Sequence, residues 1–299
     1  MSKKQKIVIS ASRRTDIPAF YMNWFMEQIK AGRFEVINPF NRKVYHVPAS
    51  PEKVSTIVFW SKNYDVFIKS QYWKILKKMG YNIFFNFTIN SPDIVLEPNL
   101  PDLEKRLEQV RFLSNEFGSD SINWRFDPLI HYQKNNINNN PLSQFKKTAE
   151  TISELGVKRC ITSFVDMYGK VKKRCDEISD FKFLQLTEVE QVILLLQMDD
   201  ELKQYKMTLN LCCEKKLFEL LPKHSSISQG SCIDNNLLKE LFGDNLSLAS
   251  DTGQRKEMGC KCKKSYDIGS YSLQPCYHNC IYCYANPETN ENRSNNIEN

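Results

Sequence analysis

The sequence predicts an α/β protein built as a TIM-like full or partial (β/α) barrel. Three observations lead there. Short runs rich in β-branched and aromatic residues alternate with longer stretches of helical period. Each short run gives way to polar or Pro-containing residues before the helical pattern starts, as parallel strands joined by helical crossovers require. After about Pro222 the alternation gives way to short elements with Gly and Cys. An open doubly wound sheet is the alternative. In either arrangement ligands collect at the carboxyl ends of the strands.

The elements follow in order. Strands are predicted at Lys6–Ser10, Thr56–Trp60, Ile83–Thr88, Ser121–Arg125, Arg159–Phe164 and Met207–Cys212, with a seventh near Tyr266–Tyr271. Helices are predicted at Pro18–Ala31, Asp65–Met79, Asp102–Phe117, Leu142–Leu155 and Thr187–Tyr205. In the third helix Leu103, Leu107, Val110, Leu113 and Phe117 recur at helical spacing and mark one apolar face. The fifth opens with Thr187-x-x-Glu190, a capping-box pattern. The Asn-rich stretch 135–140 reads as a surface loop or insertion, and the polar tail 288–299 as disordered. The expected organisation is a barrel portion over 1–221 and a Cys-rich segment over 222–287 that completes it.

Composition narrows the function classes. The chain has 299 residues, 41% of them hydrophobic, and a formal net charge of +6. No apolar run approaches the ~18 residues of a membrane span. The N-terminus has lysines without an apolar h-region, so a cytoplasmic protein with no membrane partner is expected. The charge permits a small-molecule or anionic substrate. It also permits nucleic acid, but the basic residues form no clear run or aromatic-interleaved patch.

The ten cysteines carry more information. None precedes Cys160, and Cys260, Cys262, Cys276, Cys280 and Cys283 crowd one end. In a cytosolic chain such placement speaks for metal or redox chemistry rather than a disulfide framework. Cys276, Cys280 and Cys283 stand at the spacing C-x3-C-x2-C. Three thiolates on one tight loop can each hold one iron of a 4Fe–4S cluster, leaving the fourth iron open to a small molecule. Zinc is the competing ligand, although His278 is tightly spaced for tetrahedral ligation.

The motif Cys276-x3-Cys280-x2-Cys283, with Tyr282 before its last cysteine, resembles the signature of the radical SAM superfamily. That resemblance implies a 4Fe–4S cluster whose open iron binds S-adenosylmethionine. It also implies reductive cleavage to methionine and a 5′-deoxyadenosyl radical, and a reducing partner such as flavodoxin or ferredoxin. Tyr282 is carried over as the residue against the adenine. Ser10–Pro18, Phe59–Asn63, Phe87–Asn90, Glu97-Pro98, Arg106 and Trp124–Pro128 resemble a bacterial domain-of-unknown-function family that ends in this motif. The middle of the chain is also similar to spore photoproduct lyase. Most radical SAM enzymes carry the cysteine loop after their first strand, whereas here it follows the last one. A circularly rotated strand order is therefore expected. No Gly-Gly-Glu/Asp segment, which often holds the methionyl amine, is found.

Cys212, Cys232, Cys260 and Cys262 make a second set, and they resemble ligands of an auxiliary cluster in that uncharacterised family. Iron–sulfur is preferred there over zinc. Cys160, Cys175 and Cys213 are read as buried thiols. Arg13, Arg14 and Asp16 follow the first strand, and Arg125 and Asp127 the fourth, so all five are candidates for substrate or cofactor recognition. Asn63 and Thr88 join Tyr282 as candidate S-adenosylmethionine contacts. The competing readings are a zinc- or iron–sulfur-stabilised nucleic-acid-binding protein without catalysis, and a DNA-repair enzyme of the photoproduct-lyase kind.

Overall fold

The structure is a computed structural model and describes residues 4–39 and 41–286. The tail 288–299 lies outside the described residues. Eight strands form one parallel sheet: β1 (Ile7–Ala11), β2 (Val54–Ser61), β3 (Asn82–Thr88), β4 (Ile122–Arg125), β5 (Arg159–Thr162), β6 (Thr208–Leu211), β7 (Ser228–Gln229) and β8 (Tyr266–Asp267). Their spatial order is β7-β6-β5-β4-β3-β2-β1-β8, with every adjacent pair parallel. The first seven lie in chain order, and the last joins beside the first. The sheet ends at β7 on one side and β8 on the other.

Six predicted strands reappear with ends shifted by at most two residues. β7, two residues long, has no periodicity to read. The predicted run Tyr266–Tyr271 shortens to β8, because Gly269 turns the chain at φ 82°.

Both faces of the sheet are covered, which explains the continuous apolar runs of β2 and β3. Ile9, Ile57, Phe59, Phe85 and Trp124 pack against the helical layer through Phe25, Phe67, Leu113 and Phe145. On the other face Val8, Val58 and Phe84 meet Ile233, Leu238 and Leu246. Leu238 belongs to the helix Asn235–Phe242, which covers that face near the amino ends of the strands.

Two predicted helices are each divided in two. Pro18–Ala31 becomes Ile17–Phe20 and Met22–Ala31. Asp65–Met79 becomes Asp65–Lys69 and Tyr72–Lys78, because Gln71 adopts a left-handed φ of 56° that no helix continues through. The other three appear as Leu103–Phe117, Phe145–Glu154 and Glu188–Gln204, and Thr187 and Glu190 form the capping box. Gly169–Asp176, Lys215–Leu220 and Asn235–Phe242 are helices too short for a periodic signal. The Asn-rich stretch is a hairpin rather than an open loop. Ile137–Asn138 pairs with Tyr132–Lys134, and Asn135 and Asn136 make its left-handed turn. No helix among the described residues is long and apolar enough to cross a membrane.

Candidate functional site

Parallel strands bring all their carboxyl ends to one edge of the sheet. A cavity of about 320 Å³ opens there, and residues at or just past the ends of β1 to β6 line it. Two separate groups of cysteines face this one cavity.

The first group is Cys276, Cys280 and Cys283, in the loop after β8. Cys280 is buried, and the other two are half-buried. Arg174, from the helix Gly169–Asp176, holds this loop. Its guanidinium donates to the carbonyls of Ile281 (3.0 Å), Asn286 (3.3 Å) and Cys283. Asn286 Nδ2 donates to the Cys280 carbonyl at 3.0 Å. On the other side His278 Nε2 meets Asp16 Oδ2 at 2.8 Å. Asp16 also accepts from Ser61 Oγ and from the Lys62 and Ala19 amides, tying the loops after β1 and β2 to the cysteine loop. Burial pushes the Cys276 thiol up, and Asp16 and the neighbouring Cys283 and Cys280 push it further. Burial likewise raises Cys280. Both shifts favour the protonated thiol over the thiolate at these two positions.

Beside this loop lies a buried charge network. Lys62 Nζ and Glu97 Oε1 are 2.7 Å apart. Asn90 Nδ2 donates to the same oxygen at 2.9 Å, as does the Tyr282 hydroxyl. Burial pushes the Glu97 carboxyl up, but Lys62 and Arg106 outweigh it and hold the group below the usual carboxylate range. Burial pulls Lys62 down, and Glu97 more than restores it. The Lys62 ammonium lies 5.5 Å from the centre of the Tyr282 ring.

The second group has five members. Cys212 and Cys213 follow β6, Cys232 follows β7, and Cys260 and Cys262 precede β8. All five are buried in one cluster with Ile161, against Trp60. Cys212 Sγ lies 3.7 Å from both Cys213 Sγ and Cys232 Sγ. Cys260 and Cys262 lie in the same buried cluster, where Cys260 interacts with Cys213 and Cys262 with Cys232. Their mutual interaction pushes the Cys212 and Cys260 thiols up and pulls Cys213 and Cys262 down.

The candidates from the sequence divide. Arg13, Asp16, Thr88, Arg125, Asp127, Tyr282 and all seven candidate metal-ligating cysteines line the cavity. Arg13 pairs with Asp267 at 2.9 Å and lies over Trp60. Arg125 pairs with Asp127, lies 4.9 Å from the Trp60 ring centre, and donates to Cys232 Sγ. Arg14 does not line the cavity; it donates to the carbonyls of Ile37 and Gly269. Asn63 also stays outside, with its Oδ1 accepting from Gln109 and from the Asp65 amide. Sequence reasoning missed Cys213, although its position directly after Cys212 at a strand end was a usable signal. It also missed the role of Glu97, which no local pattern shows.

Donor chemistry fits an iron–sulfur group at Cys276, Cys280 and Cys283: three soft thiols on one loop, separate from the other five. Among the described residues no three His, Cys, Asp or Glu side chains are arranged around a single metal ion. A cluster does not need that arrangement, because each thiolate binds its own iron.

Fold and site together define an α/β protein with a thiol-lined cavity at the carboxyl edge of a parallel sheet. The model of the family described as domain of unknown function (DUF1848) matches residues 8–285, and the chain belongs to that family. No curated protein matches the chain.

Proposed function

We propose that the protein is a radical SAM enzyme acting in a rolled, partial (β/α) barrel with a circularly rotated strand order. The observation that carries this reading is the C-x3-C-x2-C loop facing a cavity at the carboxyl ends of the strands. A 4Fe–4S cluster on Cys276, Cys280 and Cys283 would supply an electron to bound S-adenosylmethionine, cleaving it to methionine and a 5′-deoxyadenosyl radical.

The chain's own residues would prepare that site. Arg174 fixes the loop carbonyls, and Asp16 with His278 fixes the side nearest β1. The Glu97–Lys62 pair holds the Tyr282 hydroxyl, and so the ring that would lie against the adenine. Arg13 and Arg125 are engaged by carboxylates, which sets their guanidiniums at the cavity wall.

The test is anaerobic reconstitution with iron and sulfide, then dithionite and S-adenosylmethionine. The expected result is a brown 4Fe–4S chromophore and formation of 5′-deoxyadenosine, with both reduced in Cys280→Ala. Zinc without iron in anaerobically purified protein, or no 5′-deoxyadenosine from a reconstituted chain, overturns the reading.

A further inference from the structure

The five-thiol group lies outside the loop assigned above. Its members come from three separated segments, so their meeting reflects the tertiary structure. Three backbone features bring them together. Cys213 has a left-handed φ of 59°. Successive residues of an extended strand point to opposite faces, and this turn sends the Cys212 and Cys213 sulfurs to one place. A left-handed conformation at a residue with a Cβ is strained and persists where the surroundings impose it. Gly259, at φ 92°, lies so close to Lys215 that an added Cβ would be 2.9 Å from the Lys215 Cβ. This approach seats Cys260 and Cys262 against the segment after Cys213. Gly230 also packs closely on β6, where an added Cβ would stand 3.3 Å from the Leu211 carbonyl oxygen, and this seats Cys232.

A buried set of thiols could be a disulfide store or plain core. All ten cysteines are free, and the surroundings of these five are not those of plain core. Arg13 Nη2 and Trp60 Nε1 are buried donors without a hydrogen-bond partner. Trp60 packs on the thiol group, and the Arg13 charge interacts with Cys262. Arg125 Nη1 already donates to Cys232 Sγ. A buried N–H left unpaired loses its hydration with nothing in return. Two of them beside five sulfurs mark the place of an acceptor that the side chains do not provide. Sulfide and thiolate sulfurs of a cluster accept such bonds, and these bonds tune its potential.

We propose that the five-thiol group is a second iron–sulfur centre, held by four of its five thiols and hydrogen-bonded by Arg13, Trp60 and Arg125. It faces the same cavity as the three-cysteine loop. The inference goes beyond the proposed reaction and does not rest on it.

The test removes the first site and counts metal at the second. The Cys276→Ala/Cys280→Ala/Cys283→Ala variant is reconstituted anaerobically, its fold is checked by circular dichroism, and iron, sulfide and zinc are measured. About four irons and four sulfides per chain are expected to remain, with a Mössbauer spectrum of one 4Fe–4S cluster. Adding Cys232→Ala and Cys262→Ala should abolish that iron. Should the variant fail to fold, wild type is compared with Cys232→Ala/Cys262→Ala, which is expected to hold about four fewer irons per chain. A folded triple variant with no iron, zinc in its place, or wild-type iron unchanged by Cys232→Ala/Cys262→Ala overturns the proposal. Since the triple variant cannot form the first cluster, these outcomes are independent of whether S-adenosylmethionine is cleaved.

Discussion

Replacing Glu97 by Ala should be among the costliest single changes near the cavity. The Glu97 carboxylate is 3% exposed and 2.7 Å from the Lys62 ammonium, whose side chain is 15% exposed. Arg106, 2% exposed, also interacts with it. Removal strands buried positive charge, and breaking a buried pair this way costs about 3–5 kcal/mol. Asn90 and Tyr282 also lose an acceptor, each loss about 1 kcal/mol and not additive with the first. An expected loss of about 4 kcal/mol is a large share of the ~5–15 kcal/mol that holds a folded domain. The assay is equilibrium guanidinium unfolding at fixed metal content. A double-mutant cycle of Glu97→Gln with Lys62→Met should give a coupling of about 1–3 kcal/mol. A loss below about 1 kcal/mol for Glu97→Ala, with additive single variants, would mean that the pair behaves as an exposed one, and would refute the reasoning.

Other outcomes follow from the same structure. Arg174→Lys keeps the charge but not the planar fork that reaches three carbonyls, so the reconstituted first cluster should lose iron faster to a chelator. Gly259→Ala forces a Cβ into Lys215 at a left-handed φ, and should cost about 1–3 kcal/mol in denaturant unfolding. Phe59→Ala opens a fully buried site between the sheet and the helical layer, and should cost about 3–5 kcal/mol by the same assay. Burial, with Glu52, pushes the Tyr81 phenol up to about 12. Between its ordinary value near ~10 and that value the folded chain binds the proton that the unfolded chain has lost, so stability should fall as pH rises through this window. Tyr81→Phe should flatten that part of the stability–pH curve.

The strands were legible because apolar runs buried on both faces need no partner to be recognised, and β2 and β3 appear almost as expected. The helix breaks at Tyr21 and Gln71 were not legible. Neither position holds Gly or Pro, and packing of the flanking pieces imposes the turns. Position after a strand placed Arg13, Asp16 and Arg125 at the cavity, because chain direction alone decides which edge a loop occupies. The same rule overreached for Arg14 and Asn63. Adjacent loop residues point different ways, and side-chain direction depends on local φ and ψ and on partners such as Gly269 and Gln109.

By itself the sequence determined the alternation of strands and helices, the parallel sheet this implies, and the three thiols of the C-x3-C-x2-C loop. These depend on spacing along the chain, which is written in residue order. Only the tertiary structure decided that five further thiols meet, that Cys213 is one of them, and that Glu97 pairs with Lys62. Those contacts join residues up to 50 positions apart, as from Cys212 to Cys262, and depend on strand register, on a left-handed turn at Cys213 and on the close approach at Gly259. Short-range pattern holds none of this, because each contact forms only when segments distant in sequence pack together.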